Sequence, residues 1–304
     1  MTVPEKTKLI GASAVCIAAV LWGFDGVVLT PRLYNLNTGF VVLLLHLIPF
    51  VLMQPVLFRE YANLSRIPSG DWITFGLVAF FGGALGTLAI VKALFLVNFQ
   101  QLTVVVLLQK LQPVFAIILA AILLKEKIRS RFILWAAVAI IASYFLTFGF
   151  TLPNLQVGAN TTQAAVWAII AAASFGSATV LGRKILITYD FTTATFYRFG
   201  ITSIIMLVYL IFSGNLNHFG AITPTNWLIF LIIAFTTGSG AIFLYYFGLK
   251  RIRASIATIC ELCFPASAII FDYLINDSTL TAVQFASAVV LLLAIIKISQ
   301  QKRK

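Results

Sequence analysis

Charge is what this sequence has least of. Only 10% of its 304 residues are Asp, Glu, Lys or Arg, while 61% are hydrophobic; soluble proteins carry about 25% charged residues. So few charges cannot cover a water-facing surface, which excludes the two soluble domains that length alone suggests. Acidic residues are scarcest, nine against 21 basic ones, for a net charge of +12. Such an excess can signal a nucleic-acid partner, but here the basic residues sit between apolar runs and not in one stripe, so none is expected. The three cysteines, Cys16, Cys260 and Cys263, all fall inside apolar runs and supply neither a disulfide framework nor zinc-ligand spacing. Cys260 and Cys263 form a C-x-x-C there, read as small packing residues. The only histidines are His46 and His218. No Ser-His-Asp set and no His/Glu metal cluster is visible, so no enzyme activity, metal or cofactor is expected. A Gly-x-x-x-x-Gly-Lys-Ser/Thr loop is absent too, so any work must draw on gradients or exchange rather than nucleotide hydrolysis.

What is present is a series of long apolar runs. Ten are long enough to span a bilayer, which takes about 20 residues: Leu9–Leu29, Phe40–Phe58, Trp72–Val97, Leu102–Leu124, Phe132–Phe150, Ala164–Ile185, Thr193–Phe212, Trp227–Leu249, Ala254–Ile275 and Ala282–Ile298. The first is too long for a cleavable signal peptide and no Ala-x-Ala-like site follows it. Connections such as Asn98–Gln101 and Asn276–Thr281 leave no room for a soluble domain. The expectation is an all-α, multi-pass membrane protein.

Basic residues fix its orientation. Of the 21, seventeen fall at the N-terminus, the C-terminus and the four connections between, which all share one side, and only Arg32 falls on the other. The rest, Lys92, Lys110 and Arg198, lie within spans. Positive loops stay cytoplasmic, so both termini are inside. The chain also repeats. Trp22-Gly23 precedes Phe175-Gly176 by 153 positions, His46 precedes Arg198 by 152, Trp72 precedes Trp227 by 155, and Pro113 precedes Pro265 by 152. Each half, residues 1–150 and 151–304, holds five spans. Five is odd, so the second half enters the membrane from the opposite side, giving an inverted-topology repeat of the kind on which many secondary transporters are built.

The stretches Ala18–Gly23, Leu111-Gln112-Pro113-Val114-Phe115 with Leu124-Lys125-Glu126-Lys127, Ala171–Gly176, Tyr245-Tyr246-Phe247-Gly248-Leu249 and Phe264-Pro265 together resemble the drug/metabolite transporter superfamily with paired EamA-type repeats. The resemblance covers essentially the whole chain and implies ten helices and a carrier role. It does not name a substrate: similar members export amino acids and related metabolites, and relatives carry sugar phosphates or nucleotide sugars. His46 stands where that family often has arginine, a residue the second half keeps as Arg198, and Asn276-Asp277 replaces a Gly-Glu pair.

Ionisable side chains in the hydrocarbon region are costly and point to function. Lys110 and Glu261 lie mid-membrane beside the helix-kinking prolines Pro113 and Pro265. Proline removes a backbone donor and frees a carbonyl, and broken helices supply transporter sites. Lys110 is expected to hold a substrate carboxylate, and Glu261 an amino group or a coupling proton; the alternative is a structural ion pair between them. Asp25 and Lys92 are a candidate outer gate, or else snorkel to the interface; Asp272 is read as interfacial. Arg198 offers a fork suited to carboxylate or phosphate, or pins helices through backbone carbonyls. His46 is a binding candidate or a packed histidine. Trp22 and Phe175 are candidate cavity walls, ahead of Tyr245 and Tyr246. Gly82-x-x-x-Gly86 and Gly238-Ser239-Gly240 allow close helix approach. The substrate-binding set is therefore Trp22, Asp25, His46, Lys110, Phe175, Arg198 and Glu261. The functional expectation is a secondary carrier in the bacterial inner membrane, working by alternating access and exporting an amino-acid-like zwitterion, because the buried charges are of mixed sign. The alternative is an exchanger of organic anions, sugar phosphates or nucleotides on the same fold.

Overall fold

The computed structural model describes residues 5–97, 102–150, 159–214, 220–275 and 281–300. The expected features at Asn98–Gln101, His218, Asn276-Asp277 and Lys302–Lys304 lie outside them. Among the described residues ten helices are long and apolar enough to cross a membrane: α1 (Glu5–Leu33), α2 (Thr38–Asn63), α3 (Ser69–Leu96), α4 (Val104–Leu123), α5 (Ser130–Phe148), α6 (Asn160–Thr188), α7 (Phe191–Ser213), α8 (Pro224–Leu249), α9 (Ala254–Ile275) and α10 (Ala282–Ser299). No strand occurs among the described residues. Several helices outrun their apolar stretch, as α1 and α6 do by a turn or so at their ends, because a helix that leaves the hydrocarbon loses nothing by continuing to bond its own backbone. Starts and stops are local. Asn37 Oδ1 accepts from Gly39 N at 3.0 Å to open α2, and capping boxes at Thr223/Asn226 and Thr281/Gln284 open α8 and α10. Gly149 and Gly214, with φ of +58° and +69°, end α5 and α7.

The halves pack as an inverted repeat. α1 lies against α8 and α9, and its counterpart α6 lies against α3 and α4. α2 packs on α7, and α5 on α10, each helix on its own counterpart. Most strong contacts are therefore between halves, and one core runs through both.

The Trp22-Gly23 and Phe175-Gly176 landmarks have a shared physical cause. A Cβ added to Gly23 would stand 2.9 Å from Phe264 O and from Ala268 N of α9. One added to Gly176 would stand 3.0 Å from Gln112 O and from Ala116 N of α4. Both glycines let a helix backbone approach the proline-bearing helix of the other half, and each puts an aromatic neighbour at the seam.

Five helices depart from regular α geometry inside the membrane. α1 widens to π at Asp25–Leu29 and tightens to 3₁₀ at Thr30–Leu33, where Pro31 sits. α3 and α8 carry π turns at Ala79–Leu85 and Ala234–Gly238, matching places in the two halves. α4 breaks at Lys110-Leu111 and α9 at Glu261-Leu262. In both breaks bonds shorten to three-residue spacing, Lys110 N to Leu107 O and Leu262 N to Ile259 O, just ahead of a proline that cannot donate. Polar side chains take up carbonyls around the π turns. Thr202 donates to Ala79 O at 3.2 Å, Arg198 to Gly82 O at 2.8 Å, and Ser239 to Ala234 O at 2.6 Å.

Candidate functional site

These breaks surround a cavity of about 280 Å³ between the halves, near the small end of the ~300–1,000 Å³ usual for small-molecule sites. All seven residues of the expected binding set line it: Trp22, Asp25, His46, Lys110, Phe175, Arg198 and Glu261. Pro113 and Pro265 line it too. One wall is aromatic. Trp22 and Tyr245 have ring centroids 5.3 Å apart at 54°, and Phe175 stands in the wall with them, so Tyr245 belongs to the cavity as much as the tryptophan does.

Glu261 sits at the α9 break and is held by three donors. Tyr245 donates to Oε1 at 2.7 Å and Thr179 at 3.2 Å, and Gln112 donates to Oε2. Thr179 and Tyr245 are themselves 2.8 Å apart. Gln112, Thr179 and Tyr245 thus build the Glu261 environment from α4, α6 and α8. Neither Gln112 nor Thr179 stood out as a site residue in the sequence; their one signal was closeness to the Pro113 kink and to Phe175. Lys110 is almost wholly buried and donates to Ser143 of α5 at 2.8 Å. Lys110 and Glu261 form no ion pair with each other.

Arg198 does pin helices. Beyond the Gly82 carbonyl it donates to Tyr246 Oη at 3.2 Å, and its guanidinium lies 5.6 Å from that ring's centroid. Gly82 is required there, since a Cβ would meet Ala178 Cβ at 2.8 Å and the guanidinium at 3.2 Å. Arg198 still faces the cavity, so pinning and lining coexist. His46 bonds Val42 O through Nδ1 at 2.9 Å and packs on Phe199. A carbonyl only accepts, so Nδ1 carries a proton and a neutral ring presents Nε2 as an acceptor.

The outer gate of Asp25 and Lys92 is not assembled. Asp25 lines the cavity and accepts from Thr30 at 3.1 Å. Lys92 is exposed, with Nζ 4.5 Å from the Trp167 ring centroid. The Lys92 stem reaches outward, where its charge is solvated or rests on an aromatic face at lower cost than in the seam. Asp272 is half-buried near the outer end of α9.

Four buried side-chain atoms among the described residues lack a hydrogen-bond partner: Asp25 Oδ1, Arg198 Nε, Thr237 Oγ1 and Thr258 Oγ1. All four residues line this cavity. Buried polar atoms in native proteins are nearly always paired, so their concentration here makes this cavity the candidate site.

On the cytoplasmic side the loops are joined across the halves. Glu126, after α4, accepts from Ala254 N at 2.9 Å and from Ser255 N at 3.2 Å, capping α9. Arg253 donates to Lys127 O at 3.2 Å. Tyr189, between α6 and α7, donates to Asp71 of α3 at 2.7 Å. Partial burial, then the bond to Asp71 and its negative charge, push the Tyr189 phenol up to about 12. The outer counterpart of that joint is the reciprocal amide pair of Asn35 and Asn226, 3.1 and 3.2 Å.

Residues 9–148 and 162–300 each match the EamA-like transporter family. The riboflavin transporter ImpX of Fusobacterium nucleatum is 54% identical over 292 residues, 95% of this chain and 97% of that protein. An uncharacterized transporter of Synechocystis sp. is 26% identical over 240 residues, 77% of this chain and 67% of its own. A solved crystal structure, 16% identical, superposes with a TM-score of 0.70 over 97% of this chain and 96% of the other, which shows a shared fold.

Proposed function

Since the chain belongs to the EamA-like transporter family, we propose that it carries riboflavin across the inner membrane as a secondary carrier working by alternating access. The Fusobacterium relative's name suggests the substrate. The observation that carries the reading is the composition of this cavity: an aromatic wall of Trp22, Phe175 and Tyr245 beside four buried polar atoms without partners. A flat tricyclic ring system stacks on such a wall, and a polyhydroxylated chain supplies the missing bonds. An amino-acid zwitterion fits less well. It would need Lys110 and Glu261 as opposite poles, but Lys110 is engaged by Ser143 and Glu261 by three neutral donors.

Switching follows from the repeat. Two similar halves of opposite orientation have two similar packings, each open to one side. With the cytoplasmic loops joined through Glu126, Asp71 and Tyr189, the conformation described is read as the one closed to the cytoplasm. Glu261 is the candidate for carrying a coupling proton, because its three ligands are neutral and can re-pair when it is protonated.

The test is counterflow in proteoliposomes. Trapped unlabelled riboflavin is expected to drive saturable accumulation of labelled riboflavin, with labelled amino acids and sugar phosphates run alongside. Accumulation of an amino acid or a sugar phosphate with none of riboflavin would overturn the assignment.

A further inference from the structure

The four partnerless atoms are not alike. An ionised carboxylate only accepts hydrogen bonds, and the arginine Nε only donates. Asp25 Oδ1 therefore asks for a donor and Arg198 Nε for an acceptor. Each has a partnerless threonine hydroxyl in the same cavity. Thr237 stands within hydrogen-bonding reach of the Asp25 carboxylate, so the two can satisfy each other until a ligand hydroxyl comes between them, and Thr258 is on α9, one turn before Glu261. The first pair comes from two π turns, Asp25–Leu29 of α1 and Ala234–Gly238 of α8, and α1 packs against the latter. Widened turns of this kind cluster at functional sites, where they re-aim a side chain.

Riboflavin has two chemically different ends. The polar edge of its ring presents carbonyl oxygens and ring nitrogens, mostly acceptors. Its ribityl chain presents four hydroxyls, each able to donate. We infer that Asp25 and Thr237 form the subsite that reads the hydroxyl-bearing chain, leaving the Arg198 and Thr258 side of the cavity to the ring edge. This rests on the riboflavin reading above. Asp25 follows Trp22 by one helical turn on the same face, so a ring stacked at Trp22 leads its substituent toward Asp25. Thr30 already occupies Oδ2, which fixes the carboxylate and leaves Oδ1 to be shared between Thr237 and the ligand. No cation pairs with Asp25 among the described residues, so its carboxylate is open to hydrogen-bond donors such as the hydroxyls of a polyol.

Lumiflavin, which has the same ring with a methyl group in place of the ribityl chain, separates the two ends. Its affinity and that of riboflavin are measured on the purified full-length protein in detergent by quenching of flavin fluorescence. The wild type is expected to favour riboflavin. Asp25→Asn and Thr237→Val are each expected to shrink the ratio of the two affinities by about tenfold, the scale of a lost hydrogen bond to a charged group. Retained lumiflavin binding shows that a variant is folded. If both affinities fall together in both variants, or the wild type binds lumiflavin as tightly as riboflavin, the subsite assignment is overturned while the flavin reading stands. If the wild type binds neither, the flavin reading fails and this inference fails with it.

Discussion

Lys110 and Glu261 hold the same place in opposite halves, at the breaks of α4 and α9, and they do not bond each other. The contact between the two breaks is made instead by Gln112, two residues beyond Lys110, which donates to Glu261. A buried ion pair costs several kcal/mol of desolvation to form and about 3–5 kcal/mol to break by removal of one partner. A neutral amide on a carboxylate is easier to exchange, which suits the alternating access proposed for the two halves.

Replacing Glu261 with Gln is therefore expected to spare the fold and change the coupling. Equilibrium exchange of labelled substrate should persist at a reduced rate, while the response to an imposed pH gradient should disappear. Both are read in proteoliposomes, and a Glu261→Gln protein that answers the gradient as the wild type does would remove the proton from the mechanism.

The glycine contacts predict stability. Gly176→Ala places a methyl 3.0 Å from backbone atoms of α4, which cannot yield as a side chain can. The expected loss is about 1–3 kcal/mol, the range for overpacking, seen as a lower melting temperature in detergent. Gly76→Ala, with nothing within 4 Å of the new Cβ, should be neutral or gain up to about 1 kcal/mol from helix propensity. Equal melting temperatures for the two variants would contradict the close approach.

Glu126 joins the loop after α4 to the N-terminus of α9, and in the proposed cycle that joint helps to close the cytoplasmic side. Losing a helix cap costs about 0.5–2 kcal/mol, here paid by the conformation closed to the cytoplasm. Glu126→Gln should speed labelling of a cysteine placed at Thr258 by a membrane-impermeant thiol reagent added from the cytoplasmic face, in a background lacking Cys16, Cys260 and Cys263. An unchanged rate would mean that Glu126 caps a helix without gating.

The Tyr189 bond to Asp71 has a pH signature. Its phenol sits at about 12, above the unfolded value of about 10, so the folded state holds the proton more tightly. The contribution is complete below pH about 10 and fades as pH rises toward 12. Tyr189→Phe should lower the melting temperature at neutral pH, with the gap to the wild type narrowing through that alkaline window. A constant gap would show that the hydroxyl proton plays no part.

Much of this protein was legible residue by residue. Lys110, Glu261, Arg198 and Asp25 were conspicuous because a charge in an apolar run is costly and has to be explained, and all four line the cavity. Lys92 was equally conspicuous but lies outside it, over Trp167, since a flexible stem can carry its charge either way from the same backbone position. Thr237 and Thr258 gave no signal, and Gln112 and Thr179 gave none beyond their closeness to the Pro113 kink and to Phe175. Neutral polar side chains are cheap in a membrane helix, where a threonine can simply bond the carbonyl one turn back.

The sequence by itself determined the number of spans, their sidedness and the inverted repeat, because hydrocarbon thickness, the positive-inside bias and an odd count per half leave little choice. Only the tertiary structure decided which polar groups meet in the seam, which are left without partners and which loops are joined across the halves. Those outcomes turn on side-chain directions and on small energy differences between two nearly equivalent packings, which no spacing along one chain records.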